Sequence, residues 1–163
     1  FYFFLLVVFS PHFRMKMKLR VLGPDNFKTY ANRGYSHWRQ REFDKAIEDF
    51  NQAIQLKPDS AKLYRHRGIA HADQKNPDQA LEDYNQSIKL DPYSSYTYRK
   101  RAFIYQDKGE LEKALEDLSK SMLNPELLAV GYNNQAYIYE DLGDMAKAQE
   151  YFKKAAALGH FDP

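Results

Sequence analysis

A pattern of small and aromatic residues returns every 34 positions along most of this 163-residue chain. Small residues define the period first, at Gly34, Gly68, Ala102 and Ala136. Alanines define it again, at Ala46, Ala80, Ala114 and Ala148. Four positions after each of these alanines stands a large side chain, at Phe50, Tyr84, Leu118 and Phe152. A period of this length predicts a solenoid, in which each repeat packs only on its neighbours, rather than one compact domain.

Each repeat is predicted to contain two helices joined by a short turn. In the first repeat the helices are expected over residues 28–39 and 43–56, because a proline follows and cannot continue a helix. In the second repeat Asn76 and Gln79 resemble a reciprocal helix cap, with Pro77 in the first turn. The predicted repeats are residues 27–60, 61–94, 95–128 and 129–162.

The ends of the chain differ from the repeats. Residues 1–9 are wholly apolar but too few to cross a bilayer as a helix. Basic residues follow them, whereas a secretory signal carries its charge ahead of the apolar run. Within the segment of residues 1–26 we therefore expect residues 1–22 to be peripheral and residues 23–26 to be the turn that leads into the repeats. The protein is expected to be cytoplasmic, with a truncated signal, a membrane anchor or a non-native start as alternatives. Asn124-Pro125 ends the third repeat one residue early, which is expected to change the local stacking.

The composition limits the chemistry of the chain. It has no cysteine, which excludes disulfides, thiolate metal sites and a cysteine nucleophile. The net charge of +2 is too small to indicate nucleic acid as a partner. Residues 107–163 carry six lysines and eleven acidic residues, a balance of −5, against +7 for residues 1–106. This asymmetry either orients a charged partner or is an ordinary solvated surface.

No catalytic constellation is visible in the sequence. The seven glycines are scattered rather than gathered in a phosphate-binding loop, and the carboxylates recur with the repeat. We expect no enzyme activity, no cofactor and no metal. His37 and His71 are predicted to be packed, hydrogen-bonded residues on successive first helices, because no further metal ligand has suitable spacing. The other histidines are expected to be isolated and exposed: His12, His66 and His160.

The clearest copy of the repeat spans residues 61–94, and its fixed positions are Tyr64, Gly68, Ala80, Tyr84, Ser87 and Pro92. These residues resemble the tetratricopeptide repeat. The resemblance covers residues 27 to about 160 and implies a right-handed all-α solenoid of four repeats. No polar cap follows the fourth repeat, so we expect the chain to be a fragment that is truncated at both ends.

The sequence departs from that family in its first helices, where His37 and His71 replace the usual tyrosine or leucine three residues past the small residue. The family usually has leucine before the small residue of the first helix, but here the residues are Arg33, Arg67 and Arg101. Sixteen positions later in the same repeats stand Asp49, Asp83 and Asp117. The fourth repeat has Gln135 and Tyr151 instead, so both members change together. We therefore predict ion pairs between the helices, within a repeat or across to its neighbour.

The resemblance also implies that the first helices line a concave groove. The implied lining is Lys28, Tyr35, Trp38, Arg39, Lys62, Arg65, Ile69, Tyr96, Arg99, Lys100, Phe103, Asn133, Asn134 and Tyr137. Rigid aromatics interleaved with arginine and lysine suit a peptide or protein segment with acidic and apolar side chains. The predicted function is therefore a non-enzymatic interaction scaffold.

Two other functions and one narrower specificity are alternatives to this prediction. The terminal repeats could stack on further repeats or on another copy, which is a structural role. Residues 98–101 and the basic N-terminal stretch could bind nucleic acid, which the alternation of acidic and basic residues disfavours. Some members of the family grip the acidic tail of a chaperone with a Lys and Asn clamp. The corresponding places here hold Ala31, Tyr35, His66, Tyr96 and Lys100, or Arg65, Ile69, Lys100, Val130 and Asn134, so that specificity is disfavoured.

Overall fold

The structure, a computed structural model, describes residues 26–122 and 128–158. Eight helices lie within these two ranges: α1 (Asn26–Arg39), α2 (Phe43–Leu56), α3 (Ala61–Asp73), α4 (Pro77–Leu90), α5 (Ser95–Asp107), α6 (Leu111–Ser121), α7 (Leu128–Asp141) and α8 (Met145–Ala157). They form four antiparallel pairs, and each pair packs on the next. The all-α solenoid of four repeats is confirmed. The predictions for the N-terminal segment, the Asn124-Pro125 junction, His12 and His160 lie outside the described residues.

Within each pair the turn between the helices has the same backbone geometry. The left-handed region of φ is occupied by Arg41 (62°), Lys75 (67°), Gly109 (74°) and Gly143 (76°), which are again 34 positions apart. The second helix begins two residues after each of these positions. The residue in between closes the turn with a backbone hydrogen bond: the Asn76 amide, for example, donates to the His71 carbonyl at 2.9 Å. A backbone hydrogen bond of this span is the closure that commonly ends a helix.

The predicted side-chain cap at Asn76 is wrong. No side-chain hydrogen bond caps α4, and the Asn76 amide group donates instead to Gln74 Oε1 at 2.9 Å. Only Pro77 takes its expected place in the first turn. The backbone closure of the preceding turn therefore positions the start of this helix, without help from the asparagine. At α8 a cap does form, since Asp144 accepts the Lys147 amide at 3.1 Å.

The repeated small residues lie where the two helices of a repeat cross. A Cβ atom added at Gly34 would lie 3.0 Å from the Phe50 ring, and one added at Gly68 would lie 2.8 Å from the Tyr84 ring. Both rings are only 1% exposed. The alanines of the second series are fully buried at the same crossings. Close packing of these positions explains why the period is so strict in the sequence.

The predicted ion pairs form, and they lie within repeats. Arg67 donates to both Asp83 oxygens, through Nε at 3.0 Å and Nη2 at 2.6 Å. Arg101 contacts Asp117 in the same way at 2.7 Å through each nitrogen, and Arg33 contacts Asp49. The three aspartates are buried, which explains why the fourth repeat replaces the acid when it replaces the base.

These arginines also connect consecutive repeats. The remaining nitrogen of Arg67 donates to Asn51 Oδ1 in the first repeat at 2.6 Å, and that of Arg101 donates to Asn85 Oδ1 in the second at 2.6 Å. In the fourth repeat Gln135 makes only the backward bond, to Ser119 Oγ at 3.0 Å. A hydrogen-bonded ladder thus runs across all four repeats and fixes how each one stacks on the last.

Candidate functional site

The first helices of three repeats, α1, α3 and α5, enclose a pocket of about 220 Å³, and Phe50 of α2 adds to its wall. Its lining is Tyr35, Trp38, Phe50, Arg65, His66, Ile69 and Tyr96. Five of these residues belong to the lining predicted from the sequence: Tyr35, Trp38, Arg65, Ile69 and Tyr96. Because the helices are successive members of the array, the 34-residue period places these side chains side by side.

Aromatic rings form most of the pocket wall. The ring centroids of Tyr35 and Trp38 are 5.4 Å apart, and those of Tyr35 and His66 are 5.9 Å apart. Tyr35 is nevertheless 45% exposed, so it contributes apolar area that a partner can cover. Rigid aromatic side chains of this kind supply most of the binding energy in many protein interfaces.

Three cations surround the Tyr96 ring at the edge of this pocket. Arg65, Arg99 and Lys100 lie 5.3, 5.4 and 5.5 Å from its centroid. Arg65 also donates to Ser94 Oγ at 3.3 Å, while its buried Nε has no hydrogen-bond partner in the part of the chain that is described. Unlike the ladder arginines, these three side chains form no ion pair with any described carboxylate. The pocket edge therefore has uncompensated positive charge.

His66 corrects the sequence prediction, which expected it to be isolated and exposed. Its side chain is half-buried and lines the pocket, with its ring 5.9 Å from that of Phe50. Burial and the neighbouring charges of Arg65 and Lys62 lower its pKa to about 4, so the ring is neutral at pH 7. The sequence did contain the signal: His66 has the same register as Lys100 and Asn134, both of which were assigned to the groove.

Acidification is expected to weaken the fold through His66. The unfolded chain binds this proton near pH 6.5, whereas the folded protein resists it to about pH 4, so stability is fully present above pH 6.5 and falls as the pH falls through that window. Between pH 7 and pH 5 the free energy of unfolding should drop by up to about 2 kcal/mol. Urea unfolding at both pH values measures the drop. A His66→Gln variant should lose part of it, and an equal drop in that variant would contradict the assignment.

The other predicted lining residues lie outside this pocket. Lys28 and Lys62 are exposed on α1 and α3, and Phe103 is 39% exposed on α5. In the fourth repeat Tyr137 is 50% exposed and meets the Phe152 ring edge-on at 5.2 Å. Asn133 and Asn134 are half-buried, and the Asn134 amide nitrogen has no partner among the described atoms.

A second, wider pocket adjoins the first at the turns between helices. Its lining is Tyr35, Trp38, Arg39, Arg41, Phe43, Asp73 and Lys75. Trp38 donates through its indole Nε1 to Asp73 at 2.6 Å, and the Arg41 guanidinium lies 5.8 Å from the Phe43 ring centroid. Of these residues only Tyr35, Trp38 and Arg39 were predicted as lining. Arg41 and Lys75 were missed because they belong to turns, and Phe43 because it begins a second helix. Asp73, the last residue of the first helix α3, was also missed.

The two histidines expected to be packed and hydrogen-bonded differ from each other. His37 Nδ1 contacts Glu42 Oε2 at 2.5 Å, as predicted. His71 Nε2 lies 3.9 Å from Asp83, and its buried Nδ1 has no hydrogen-bond partner among the described residues. Burial lowers the pKa of His71 more than Asp83 raises it. Only the packing part of the prediction therefore holds for His71.

Helix pairs that stack in this way define a class of protein: the helical-repeat interaction scaffold. Models of the tetratricopeptide repeat match residues 32–95 and 129–158, together more than half of the chain. The chain belongs to the tetratricopeptide repeat family. None of the helices in the described ranges is long and apolar enough to cross a membrane.

Solved structures share this fold. A crystal structure of MamA is 24% identical with a TM-score of 0.78, and the match covers 92% of this chain and 95% of that one. PilF from Pseudomonas aeruginosa is 18% identical with a TM-score of 0.76, covering 86% and 65%. The first tetratricopeptide repeat domain of Spaghetti (RPAP3), solved with the HSP90 peptide SRMEEVD, is 21% identical with a TM-score of 0.65, covering 72% and 93%. No curated protein sequence matches the chain.

Proposed function

We propose that this chain is a non-enzymatic scaffold that binds a peptide or protein segment with acidic and apolar side chains in the groove formed by its first helices. Proteins of the tetratricopeptide repeat family are generally interaction modules without enzyme activity. The solved domain of Spaghetti with its bound peptide shows that a related fold holds such a ligand. The groove and the side-chain chemistry of the partner are our own inference for this chain.

The observation that carries the proposal is the environment of Arg65. Arg33, Arg67 and Arg101 are neutralised by aspartates, but Arg65 stands beside an aromatic pocket with its charge uncompensated among the described residues. Its guanidinium is already held against Tyr96, so little conformational freedom remains to be lost on binding. A carboxylate next to an apolar side chain would complete both its hydrogen bonding and its charge.

Physical chemistry supports an acidic and apolar partner rather than a neutral one. Arginine and carboxylate form paired, charge-assisted hydrogen bonds, which are stronger and more directional than neutral ones. Arg99 and Lys100 add positive charge at the same edge, which speeds the approach of an acidic segment. Trp38, Tyr35 and Ile69 supply the apolar area that an anchoring side chain would cover.

The charge reversal Arg65→Glu with Arg99→Glu is expected to weaken peptide binding at least about tenfold, because it replaces attraction by repulsion at the pocket edge. Peptides selected from a random displayed library on the unaltered protein provide the ligands. Trp38 is the only tryptophan of the chain and lines the pocket, so its fluorescence reports binding of peptides that lack tryptophan. Circular dichroism checks that the variant remains folded.

The matched control is a double charge reversal on second helices, Lys89→Glu with Lys153→Glu, at two exposed positions. It changes the net charge by the same amount and should leave the affinity within about twofold of the original. Equal losses of affinity in both variants would show that the effect comes from overall charge and not from the pocket edge. Unchanged affinity in the Arg65 and Arg99 variant would place binding elsewhere and contradict the proposal.

A second candidate is self-association through the last repeat. Phe152 is half-buried, whereas Phe50, Tyr84 and Leu118, at the same place in the other repeats, are 1% exposed. A mass that rises with protein concentration in sedimentation would favour this role.

Nucleic-acid binding through residues 98–101 loses support, because Tyr98 is buried and Arg101 is paired with Asp117. The cytoplasmic location remains a proposal based on the basic residues that follow residues 1–9.

A further inference from the structure

We propose that the ligand is bipartite, with an apolar side chain in the pocket of Trp38 and Arg65 and an acidic stretch that continues over a second, basic site. We call this second site the rim, and it consists of Arg39, Arg41 and Lys75. The inference rests on the proposed function and adds to it a second contact region, a direction and a spacing. The rim belongs to the wider pocket at the turns between helices.

The two pockets form one continuous surface. Tyr35 and Trp38 line both of them, so a peptide that covers these two rings meets Arg65 and Tyr96 on one side and the rim on the other. The Trp38 ring is also held in place, because its indole nitrogen donates to Asp73 at 2.6 Å. A fixed aromatic divider between two basic regions favours a ligand that crosses it in an extended form.

The rim contributes three cations to a pocket that one carboxylate lines. Arg39, Arg41 and Lys75 form no ion pair within residues 26–122 and 128–158, and the one carboxylate of this pocket, Asp73, accepts the hydrogen bond from Trp38. Three cations, beside one carboxylate that is already hydrogen-bonded, are complementary to a short acidic stretch of the ligand. Screening acts on such exposed charges, so binding there should weaken as salt is added.

The backbone gives an independent reason to assign a role to two rim residues. Arg41 and Lys75 occupy the left-handed turn position that is Gly109 and Gly143 in the third and fourth repeats. A residue with a Cβ atom is strained there, and glycine is not. The first two repeats thus carry strained basic residues at turns that line the wider pocket, and strain that persists in this way points to a function.

The geometry also predicts the spacing within the ligand. Tyr35 and Arg39 are one helical turn apart, or about 6 Å along α1. An extended peptide advances about 3.3 Å per residue. The acidic residues are therefore expected about two to four positions from the apolar anchor, on one side of it only, since the rim lies on one side of the Tyr35 and Trp38 rings.

The test replaces the two strained residues by the glycine of the later repeats, as Arg41→Gly with Lys75→Gly. Short random peptides displayed on phage are selected on the unaltered protein and on this variant. The unaltered protein should enrich an apolar residue with acidic residues at the predicted spacing. The variant should keep the apolar preference, together with any acidic residue beside the anchor that Arg65 selects, and should lose the acidic preference at the rim spacing. Its melting temperature should be unchanged or higher, because the substitution relieves strain.

A peptide pair then separates direct contact from indirect effects. The selected peptide is titrated into both proteins beside a counterpart in which only the acidic residues at the rim spacing are changed, Glu→Gln or Asp→Asn. On the unaltered protein the acidic peptide should bind about tenfold more tightly than this counterpart, and on the variant, where Arg39 is the one rim cation left, the two should differ by less than about threefold. A tenfold preference for the acidic residues at the rim spacing that survives in the variant would overturn the bipartite ligand.

The outcomes also distinguish this inference from the proposed function. If the selected peptides have an apolar anchor and depend on Arg65 but show no acidic preference linked to Arg41 and Lys75, the groove binds peptide and only the rim is wrong. If no consensus emerges, or if binding ignores both Arg65 and the rim, both proposals fail together.

Discussion

Replacing Asp83 with alanine is expected to lower the free energy of unfolding by about 3 kcal/mol, far more than an ordinary exposed substitution. Asp83 is 3% exposed and receives three hydrogen bonds from Arg67. Without the carboxylate, the partly buried Arg67 guanidinium keeps its desolvation cost but loses its counter-charge. The effect should spread to the first repeat, because the same guanidinium also holds Asn51.

Urea unfolding measures this loss, and Glu82→Ala is the control. Glu82 is the exposed neighbour of Asp83 on the same helix, so its removal should cost no more than about 0.5 kcal/mol. The double variant Arg67→Met with Asp83→Leu should recover much of the loss, since a buried pair is often replaced by apolar side chains at little cost. If Asp83→Ala behaves like Glu82→Ala, the ladder contributes nothing measurable and its role in stacking must be rejected.

The fold could be predicted from the sequence because the chain contains four consecutive copies of one pattern. Positions that every repeat keeps, such as Gly68 and Ala80, proved to be the helix crossings. The ladder was predictable for the same reason, because the fourth repeat changes the base and the acid together. Comparing the four repeats with one another identifies the residues that maintain the fold, without a second sequence.

The candidate site was only partly predictable. The groove register came from the resemblance, but the sequence does not tell which of the fourteen predicted residues converge, and five of them do. Convergence depends on how successive first helices stack. The prediction that His66 is exposed was wrong because Tyr35 and Phe50 of the neighbouring repeat pack against its ring, and the sequence of its own repeat does not reveal this.

The turn residues were missed for a different physical reason. A glycine such as Gly109 or Gly143 indicates a turn by itself. Arg41 and Lys75 occupy the same place in their repeats, but an arginine or a lysine does not indicate a left-handed backbone. The cap at Asn76 was wrong for a related reason, because the backbone closure from the preceding helix already determines where α4 begins. Local rules predict each turn in isolation, while the array imposes one geometry on all four.

The helix crossings provide the second large effect, and its sign should depend on the residue opposite. Gly68→Ala normally stabilises a helix by about 1 kcal/mol. Here the new methyl group would lie 2.8 Å from the Tyr84 ring and 3.1 Å from Asp83 Cβ, and that ring is 1% exposed and has no room to move. Overpacking of this kind costs about 1–3 kcal/mol, so the substitution should be destabilising overall.

The third repeat shows how the array accommodates alanine at this crossing, because Ala102 there faces Leu118 instead of an aromatic ring. We therefore expect the sign to reverse in a Tyr84→Leu background, where Gly68→Ala should be neutral or stabilising by up to about 1 kcal/mol. Urea unfolding of the two single variants and the double variant measures this coupling, which should exceed about 1 kcal/mol. A methyl group that costs the same in both backgrounds would show that the Tyr84 ring is not what requires glycine. A reversal would establish that the buried Tyr84 ring is what requires glycine at this crossing. The fourth repeat is consistent with this reading, because Ala136 stands there with Phe152, which is only half-buried and so has room to yield.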